Sequence, residues 1–495
     1  MSGRDSAEGI VGGHKPVTGP DVLRSRRPER KGERTGMGQA DATGQKTGET
    51  LNDEDSGEAS KCVVSRDHGQ TSDMSEQERR SATEGLMERI LARENMSNAL
   101  KRVLANKGVG GVDGMTVAEL KPHLLTHWQG IRKRLMNGTY QPSPVRTVEI
   151  PKPNGGVRQL GIPTVLDRLL QQAVLQVLTP IFDSGFSESS FGFRPGRSAL
   201  QAVQKAKQHV AEGYGYVVDI DLENFFNTVN HDILMGMVRS KIADVRVVKL
   251  IRKYLTAGAL VGGLTTPTEQ GTPQGGPLSP LLSNILLDLL DKELEKRGLP
   301  FTRYADDGNI YVKSQRAGER VMASISEFIE QRLKLKINRE KSAVDRPIKR
   351  KFLGFTIGVN GKTSPAKKSI ATFRGKVRRI TAPTKGLNIE QVFEKLNPLL
   401  RGWLNYFRHC DTPSILKRLG EWVRHRVRMI QWRLWKRSRK RYEELIKLGV
   451  NEETARMTVG SAKGPYRIAQ SPALHIGLNL KWFESYKMPD FVCNS

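Results

Sequence analysis

Apolar positions begin to recur in this chain only after about residue 79. Leu86, Ile90, Met96, Leu100, Val103 and Leu104 follow a helical spacing, and Gly108–Gly114 (GVGGVDG) breaks that helix. Val145–Ile150 (VRTVEI) has strand character, PKPNGG supplies a turn, and Val157–Gly161 (VRQLG) reads as the returning strand. Leu169, Leu170, Ala173, Val174, Val177 and Leu178 form the apolar face of a helix over Leu166–Ile181. Tyr216–Leu222 (YVVDIDL) is a strand, and a helix starts at His231. Ser279 and Pro280 suit the cap and first residue of a helix with Leu282, Ile285, Leu286, Leu289 and Leu290 on its inner face; Gly298 follows its end. Arg303–Val312 (RYADDGNIYV) is a hairpin with Asp-Gly as its turn signal. Ile325–Leu335 reads as helix and Lys351–Val359 as strand. Strands and helices are interspersed, which predicts an α+β domain.

The flanks differ. Residues 1 to about 78 contain no Phe, Tyr or Trp and are rich in Gly, Ser, Thr and charge. Such a stretch cannot bury enough apolar area to offset its ordering entropy, so it is expected to be disordered. Residues 374–442 hold 19 Lys+Arg against 4 Asp+Glu and have a helical pattern, with Trp403, Tyr406, Phe407, Trp422, Trp432 and Trp435 among the basic residues.

Charge narrows the function classes. The chain of 495 residues carries 80 Lys+Arg and 52 Asp+Glu, a net charge of +28. An excess of this size calls for a polyanionic partner, most simply nucleic acid. No apolar run approaches the ~18 residues of a membrane-spanning helix, so no membrane partner is expected. The N-terminus lacks an apolar signal core, and a cytoplasmic protein is expected. Cys62, Cys410 and Cys493 are far apart and form no CxxC pair, which disfavours a disulfide framework or a zinc module.

Two acids side by side at a hairpin tip, Asp306 and Asp307, repel each other unless something neutralises them. Mg²⁺ takes oxygen ligands, commonly one or two carboxylates plus substrate phosphates, and phosphoryl transfer often uses two such ions ~4 Å apart. A further carboxylate should then come from another strand. VVDIDLENFF (217–226) offers Asp219 and Asp221 on one face, and the strand pattern alone does not choose between them. Gln270–Pro280 (QGTPQGGPLSP) adds a Gly-rich loop leading into a helix N-terminus, where backbone and dipole can meet phosphate.

Together these stretches resemble the reverse transcriptases encoded by group II introns, also called maturases. The resemblance spans roughly residues 85–490. Its blocks come in the family's order: Ile150–Gln172, Phe186–Leu200, Val217–His231, Gln270–Pro280, Tyr304–Asp307 (YADD), Ile337–Ser342 (INREKS), Phe352–Ile357 (FLGFTI) and Leu400–Arg408 (LRGWLNYFR). It implies a right-hand polymerase fold: fingers over 79–215, palm over 216–372, a helical thumb or maturase domain X over 373–443, and a small DNA-binding segment over 444–495. In the family the metal-binding Asp stands five residues before an aromatic that lies against the sugar, which matches Asp221 and Phe226. Asp221, Asp306 and Asp307 are thus implied as catalytic ligands of two Mg²⁺ ions. Phe226 is implied as the gate against a ribose 2′-OH, Gln274 as a contact to the incoming nucleotide, Lys152 and Arg158 as holders of its triphosphate, and Lys341 as a lysine near the site. In the basic thumb, Arg374, Lys376, Arg378, Arg379, Arg401, Arg408, Arg424 and Arg428 are candidates for binding RNA or DNA.

The activity implied is RNA-directed DNA synthesis from a primer 3′-hydroxyl with deoxynucleoside triphosphates. The protein would also bind its intron RNA and assist splicing, whose chemistry the RNA performs. Many such relatives carry a C-terminal His-Asn-His nuclease with cysteine pairs; these are not found here, so a primer made elsewhere, as at a replication fork, is expected. Retention of all three Asp residues speaks against a splicing factor with a decayed polymerase. LRGWLNYFR and the long basic region speak against a retron or CRISPR-associated enzyme.

Overall fold

The computed structural model describes residues 83–151, 157–261, 264–266, 270–272, 275–383 and 386–491. The segment expected to be disordered lies outside the described residues, as do Lys152 and Gln274; of Arg158 only the backbone is described. The strands are β1 (Val145–Pro151), β2 (Val157–Ile162), β3 (Tyr216–Ile220), β4 (Ala259–Val261), β5 (Leu264–Thr266), β6 (Phe301–Tyr304), β7 (Asp307–Val312), β8 (Ala343–Asp345), β9 (Phe355–Ile357) and β10 (Thr363–Pro365).

The central sheet has the order β6–β7–β3–β8, antiparallel throughout. Helices cover both of its faces, which explains why its strands are nearly continuous apolar runs. Val218, Ile220, Ile310 and Val312 point into one core with helices Val165–Asp183, His231–Lys241 and Ser279–Lys296. Their neighbours Val217 and Tyr311 point the other way, onto Ala202, Val203 and Ala206 of helix Ala199–Ala211 and onto Phe352 and Phe355. Each side chain fully removed from water here contributes about 1.5–3 kcal/mol.

A second sheet, ordered β2–β1–β4–β5, is built from two distant stretches. β1 and β2 form the expected hairpin, while β4 runs parallel to β1 with Val145 opposite Ala259. Residues 259–266 therefore fall within the 216–372 stretch assigned to the palm but pair with the strands assigned to the fingers. A three-residue strand leaves almost no periodic signal, so sequence patterning could not place it.

Local departures have identifiable causes. The first helix is two, Leu86–Ile90 and Arg93–Asn106, because Ala92 is extended (φ −57°, ψ 140°). The helix expected to be capped by Ser279 starts at that residue, with Leu278 before it and no side-chain cap. The Ile325–Leu335 expectation is met by the end of helix Gln315–Phe328 and a wider π turn over Ile329–Leu333. Of Lys351–Val359 only β9 is strand, since Phe352–Phe355 closes a tight turn with Leu353 at φ +48°.

Beyond β10 the chain is helical: Lys367–Ile380, Ile389–Phe407, Pro413–Leu434 and Ser438–Lys447, then shorter helices up to Leu480–Ser485. Trp432 and Trp435 are buried in one core, and Trp403 and Trp422 pack half-buried against a neighbouring one. The aromatic residues of the basic region thus hold the helices together.

Candidate active site

The site begins with strand register. β3 and β7 pair Asp219 with Asn309 and Ile220 with Gly308, so one further step sets Asp221 across from Asp307. Asp307 itself pairs with Tyr304, which leaves Ala305 and Asp306 as the turn. The turn is therefore one residue pair earlier than the Asp-Gly signal suggested. Ala305 takes a left-handed φ of +56°, a conformation disfavoured for any residue with a Cβ.

A buried brace holds that turn. Arg303, 3 % exposed, donates from Nε to Asp291 Oδ1 (2.7 Å) and from Nη1 to Asn284 Oδ1 (3.0 Å) and the Ala305 carbonyl (2.9 Å). Asn284 in turn donates to the Gly192 carbonyl at 2.8 Å. Gly192 lies flat against the turn, and a Cβ there would stand 2.2 Å from the Ala305 nitrogen. Replacing Gly192 by Ala must push the turn and its carboxylates aside. Primer extension by G192A is expected to fall by about 100-fold, since a displacement of ~1 Å can cost that much; unchanged extension would show that the turn does not position the reacting groups.

The two acids of β3 have different surroundings. The Arg350 guanidinium occupies Asp219 Oδ2, with Nε at 2.8 Å and Nη2 at 2.7 Å. Asp221 is more open; Lys341 Nζ approaches its Oδ2 at 3.4 Å. Its backbone is fixed from the INREKS segment: Asp221 N–H donates to Ser342 Oγ, and Asn338 N–H donates to the Asp221 carbonyl, both at 2.9 Å. Asp221 thus has the accessible carboxylate, and Asp219 has its charge compensated by the protein.

Burial pushes the Asp307 carboxyl up to about 7, helped by the negative charges of Asp219, Asp306 and Asp221, while Lys351 acts the other way. Such a cluster of hard oxygen donors fits a divalent cation, whose charge would offset the crowding. Among the described residues no three His, Cys, Asp or Glu side chains are already gathered into an ion cage. The strands bring these carboxylates near one another against their mutual repulsion, with Asp306 exposed at the tip.

The nucleotide side of the site is partly visible. Phe226 is half-buried beside Phe225, ring centroids 5.2 Å apart, just after Asn224 at φ +48°. The Gly-rich loop comes up to it, where Thr272 N–H donates to the Phe226 carbonyl at 2.6 Å. Further along, Gly275 packs onto Gly161 of β2, so close that a Cβ would meet its carbonyl at 2.6 Å. The loop therefore bridges the β1–β2 hairpin and Phe226.

The candidate nucleic-acid residues divide by location. Lys376, Arg378 and Arg379 are exposed on helix Lys367–Ile380, and the Arg374 and Arg378 guanidiniums lie over Trp422 at 5.5 and 5.8 Å. Arg401 and Arg408 are exposed, with Arg401 donating to the Lys487 carbonyl and Arg408 to Asn405 Oδ1. Arg424 is half-buried. Arg428 is turned inward: it donates twice to the Leu478 carbonyl (3.0 and 3.1 Å), lies over Phe483, and burial brings its pKa down to about 10. Its donors serve packing of the C-terminal helices. Sequence reasoning missed Arg303, Asp291, Asn284, Gly192 and Arg350; an Arg within an apolar strand beside YADD was the one available signal.

Comparison with known families gives two matches. Residues 150–357 match the reverse transcriptase (RNA-dependent DNA polymerase) family, and residues 370–449 match the group II intron, maturase-specific domain. The chain is 35% identical over 299 residues to Protein YkfC of Escherichia coli (strain K12), covering 52% of this chain and 78% of that protein. It is 41% identical over 174 residues to the group II intron-encoded protein LtrA of Lactococcus lactis subsp. cremoris, covering 35% of this chain and 29% of LtrA. It is 32% identical over 205 residues to the putative COX1/OXI3 intron 2 protein of Saccharomyces cerevisiae, covering 40% of this chain and 23% of that protein.

Proposed function

This chain belongs to the group II intron-encoded reverse transcriptases with a maturase domain and is an RNA-directed DNA polymerase, and from that premise we propose that it copies its own intron RNA into DNA and assists that RNA's splicing. The copying supports retrohoming, primed by a 3′-hydroxyl at the DNA target or at a replication fork. What supports the catalytic part is the β3–β7 register: continued one step beyond Ile220 and Gly308, it would put Asp221 across from Asp307, next to Asp306.

Asp221, Asp306 and Asp307 would hold two Mg²⁺ ions, which when bound supply the positive charge needed to activate the primer hydroxyl and to offset charge on the leaving pyrophosphate. The chain's own residues do the remaining work. Lys152 and Arg158 would bind the triphosphate, an arginine being suited to phosphate oxygens. Gln274 contacts the incoming nucleotide. Lys341 partly neutralises Asp221. Fingers, palm, thumb and DNA-binding segment would follow the boundaries given above, with β4–β5 returning to the fingers. The partners are intron RNA, target or primer DNA, and deoxynucleoside triphosphates, in a cytoplasmic ribonucleoprotein. Among the described residues no helix is long and apolar enough to cross a membrane.

Extension of a DNA primer on an RNA template by the purified protein tests the polymerase; no product with Mg²⁺ and all four deoxynucleotides would overturn it. Phe226 tests the sugar gate. Its half-buried ring stands where the Gly-rich loop meets the catalytic strand, so Phe226→Ala opens space for a 2′-OH. Ribonucleotide incorporation should rise by at least about 10-fold relative to deoxynucleotide, in line with the ~1–3 kcal/mol that a small steric difference is worth. An unchanged ratio would mean another residue reads the sugar.

A further inference from the structure

Of the fifteen phenylalanines in the chain, Phe193 alone is exposed, at 60 %. It also takes a left-handed φ of +57°, which is rare for a residue with a bulky side chain. Neither feature comes from slack in the chain. The segment around it is pinned along the end of the β6–β7 hairpin: Arg303 N–H donates to the Ser189 carbonyl at 2.9 Å, and Phe191 N–H donates to the Arg303 carbonyl at 2.8 Å. Arg194, 8 % exposed, donates from Nε to Asp183 Oδ1 (2.7 Å) and from Nη1 to the Ser190 carbonyl (2.9 Å). Gly192 lies against the Ala305 turn, as described above. A rigid segment thus holds a large apolar ring in water, in a costly backbone conformation. Strain and exposure that the surroundings maintain point to a use outside the fold.

Strand pairing says what the ring faces. Tyr304 stands opposite Asp307 in the β6–β7 hairpin, so both side chains lie on one face of the sheet. The Phe193 ring is 6.1 Å from the half-buried Tyr304 ring and tilted from it by 45°. The two rings therefore flank Asp307 on its β6 side. Phe226 follows β3, which lies on the other side of β7 in the sheet. The incoming nucleotide and the primer 3′-hydroxyl meet at the carboxylates between these flanks. With the nucleotide beside Phe226, the pair already completed lies toward β6. The Phe193 ring offers no donor to a phosphate, so its contact is with sugar and base edges, where aromatic surface is tolerant of sequence.

We propose that Phe193, together with Tyr304, forms an apolar shelf under the last completed base pair of the primer–template duplex, and that this shelf favours extension from a correctly shaped pair. A fixed surface meets a matched pair along its whole edge and a mismatched pair only in part. The Phe193 ring reads shape and not sequence, because it carries no hydrogen-bonding group. The proposal rests on the placement of the incoming nucleotide beside Phe226.

The test uses the full-length protein with Mg²⁺, deoxynucleotides and DNA primers on an RNA template, ending in either a matched or a mismatched pair. The readout is the ratio of the two extension rates, which a loss of folded protein does not alter. Phe193→Ala should slow extension from the matched end by about 10-fold and leave the mismatched end nearly unchanged, so the ratio falls about 10-fold. Phe193→Gly should lower the ratio equally, while its thermal midpoint matches or exceeds the parent's, because glycine takes a φ of +57° without strain. A ratio that stays at the parental value in either variant overturns the shelf, whatever happens to the separate rates. So does equal extension of both ends by the parent protein. A lowered midpoint in F193G would make the ring a packing residue and overturns it too. Absence of any extension by the parent would instead overturn the polymerase reading, and unchanged sugar selectivity in Phe226→Ala would overturn the placement of the nucleotide.

Discussion

Alanine at both Asp306 and Asp307 should reduce primer extension by more than about 10³-fold, since it removes two of three charged groups at the reacting phosphate. It should do so without unfolding the protein. The Asp307 carboxyl is held up near 7 by burial and by its acidic neighbours. Removing a side chain held at such a cost relieves the fold. The thermal midpoint of the double variant is therefore expected to equal or exceed that of the parent. Splicing assistance, which depends on RNA affinity, should be largely retained, as measured by the splicing rate of intron RNA with added protein. Parallel loss of extension and splicing would contradict the division of labour between palm and helical region. A marked fall in thermal midpoint would mean that the two residues are structural.

Removing the guanidinium of Arg303 should have the largest effect on stability. Arg303→Met leaves Asp291, which is 0 % exposed, as an uncompensated buried charge, and breaking one side of such a pair costs about 3–5 kcal/mol. The same change removes the donor to the Ala305 carbonyl, so residual folded protein should extend primers about 10–100-fold more slowly. Denaturant unfolding and extension rates give the two readouts. The double variant R303M/D291L should recover most of the stability and little of the activity, because the apolar pair fills the space but cannot hold the turn. If the double variant recovered both, Arg303 would be a packing residue and not a positioning one.

The site was legible in the sequence where its signal was local. The aromatic five residues after Asp221, the paired acids and the Gly-rich loop are each contained in a short window, and the pairing of β3 with β7 brings the Asp221 and Asp307 ends of those strands side by side, with Asp306 in the adjoining turn. What was not legible depends on distant contacts. Arg350 lies 131 positions from Asp219, yet its guanidinium is what distinguishes that acid from Asp221. Gly192, Asn284, Asp291 and Arg303 come from three separate elements, and nothing in the local pattern of any of them announces a joint brace. Charge counting likewise marked the helical region as a nucleic-acid surface but could not separate exposed Arg379 from inward-facing Arg428. Helices such as Leu166–Ile181 were legible because many residues share one periodic signal; the three-residue strands β4, β5, β8 and β10 were not, because so short a run carries none, and β9 was read only as part of a longer strand.

The pairing of β1 with β4 has a consequence for how the molecule is made. A nascent chain exposes β1 long before the ribosome delivers Ala259, more than a hundred positions downstream. During that interval the hairpin has an open flank able to recruit a foreign strand. Translation pauses or truncations between these points should therefore favour aggregation, whereas release beyond Thr266 should permit closure.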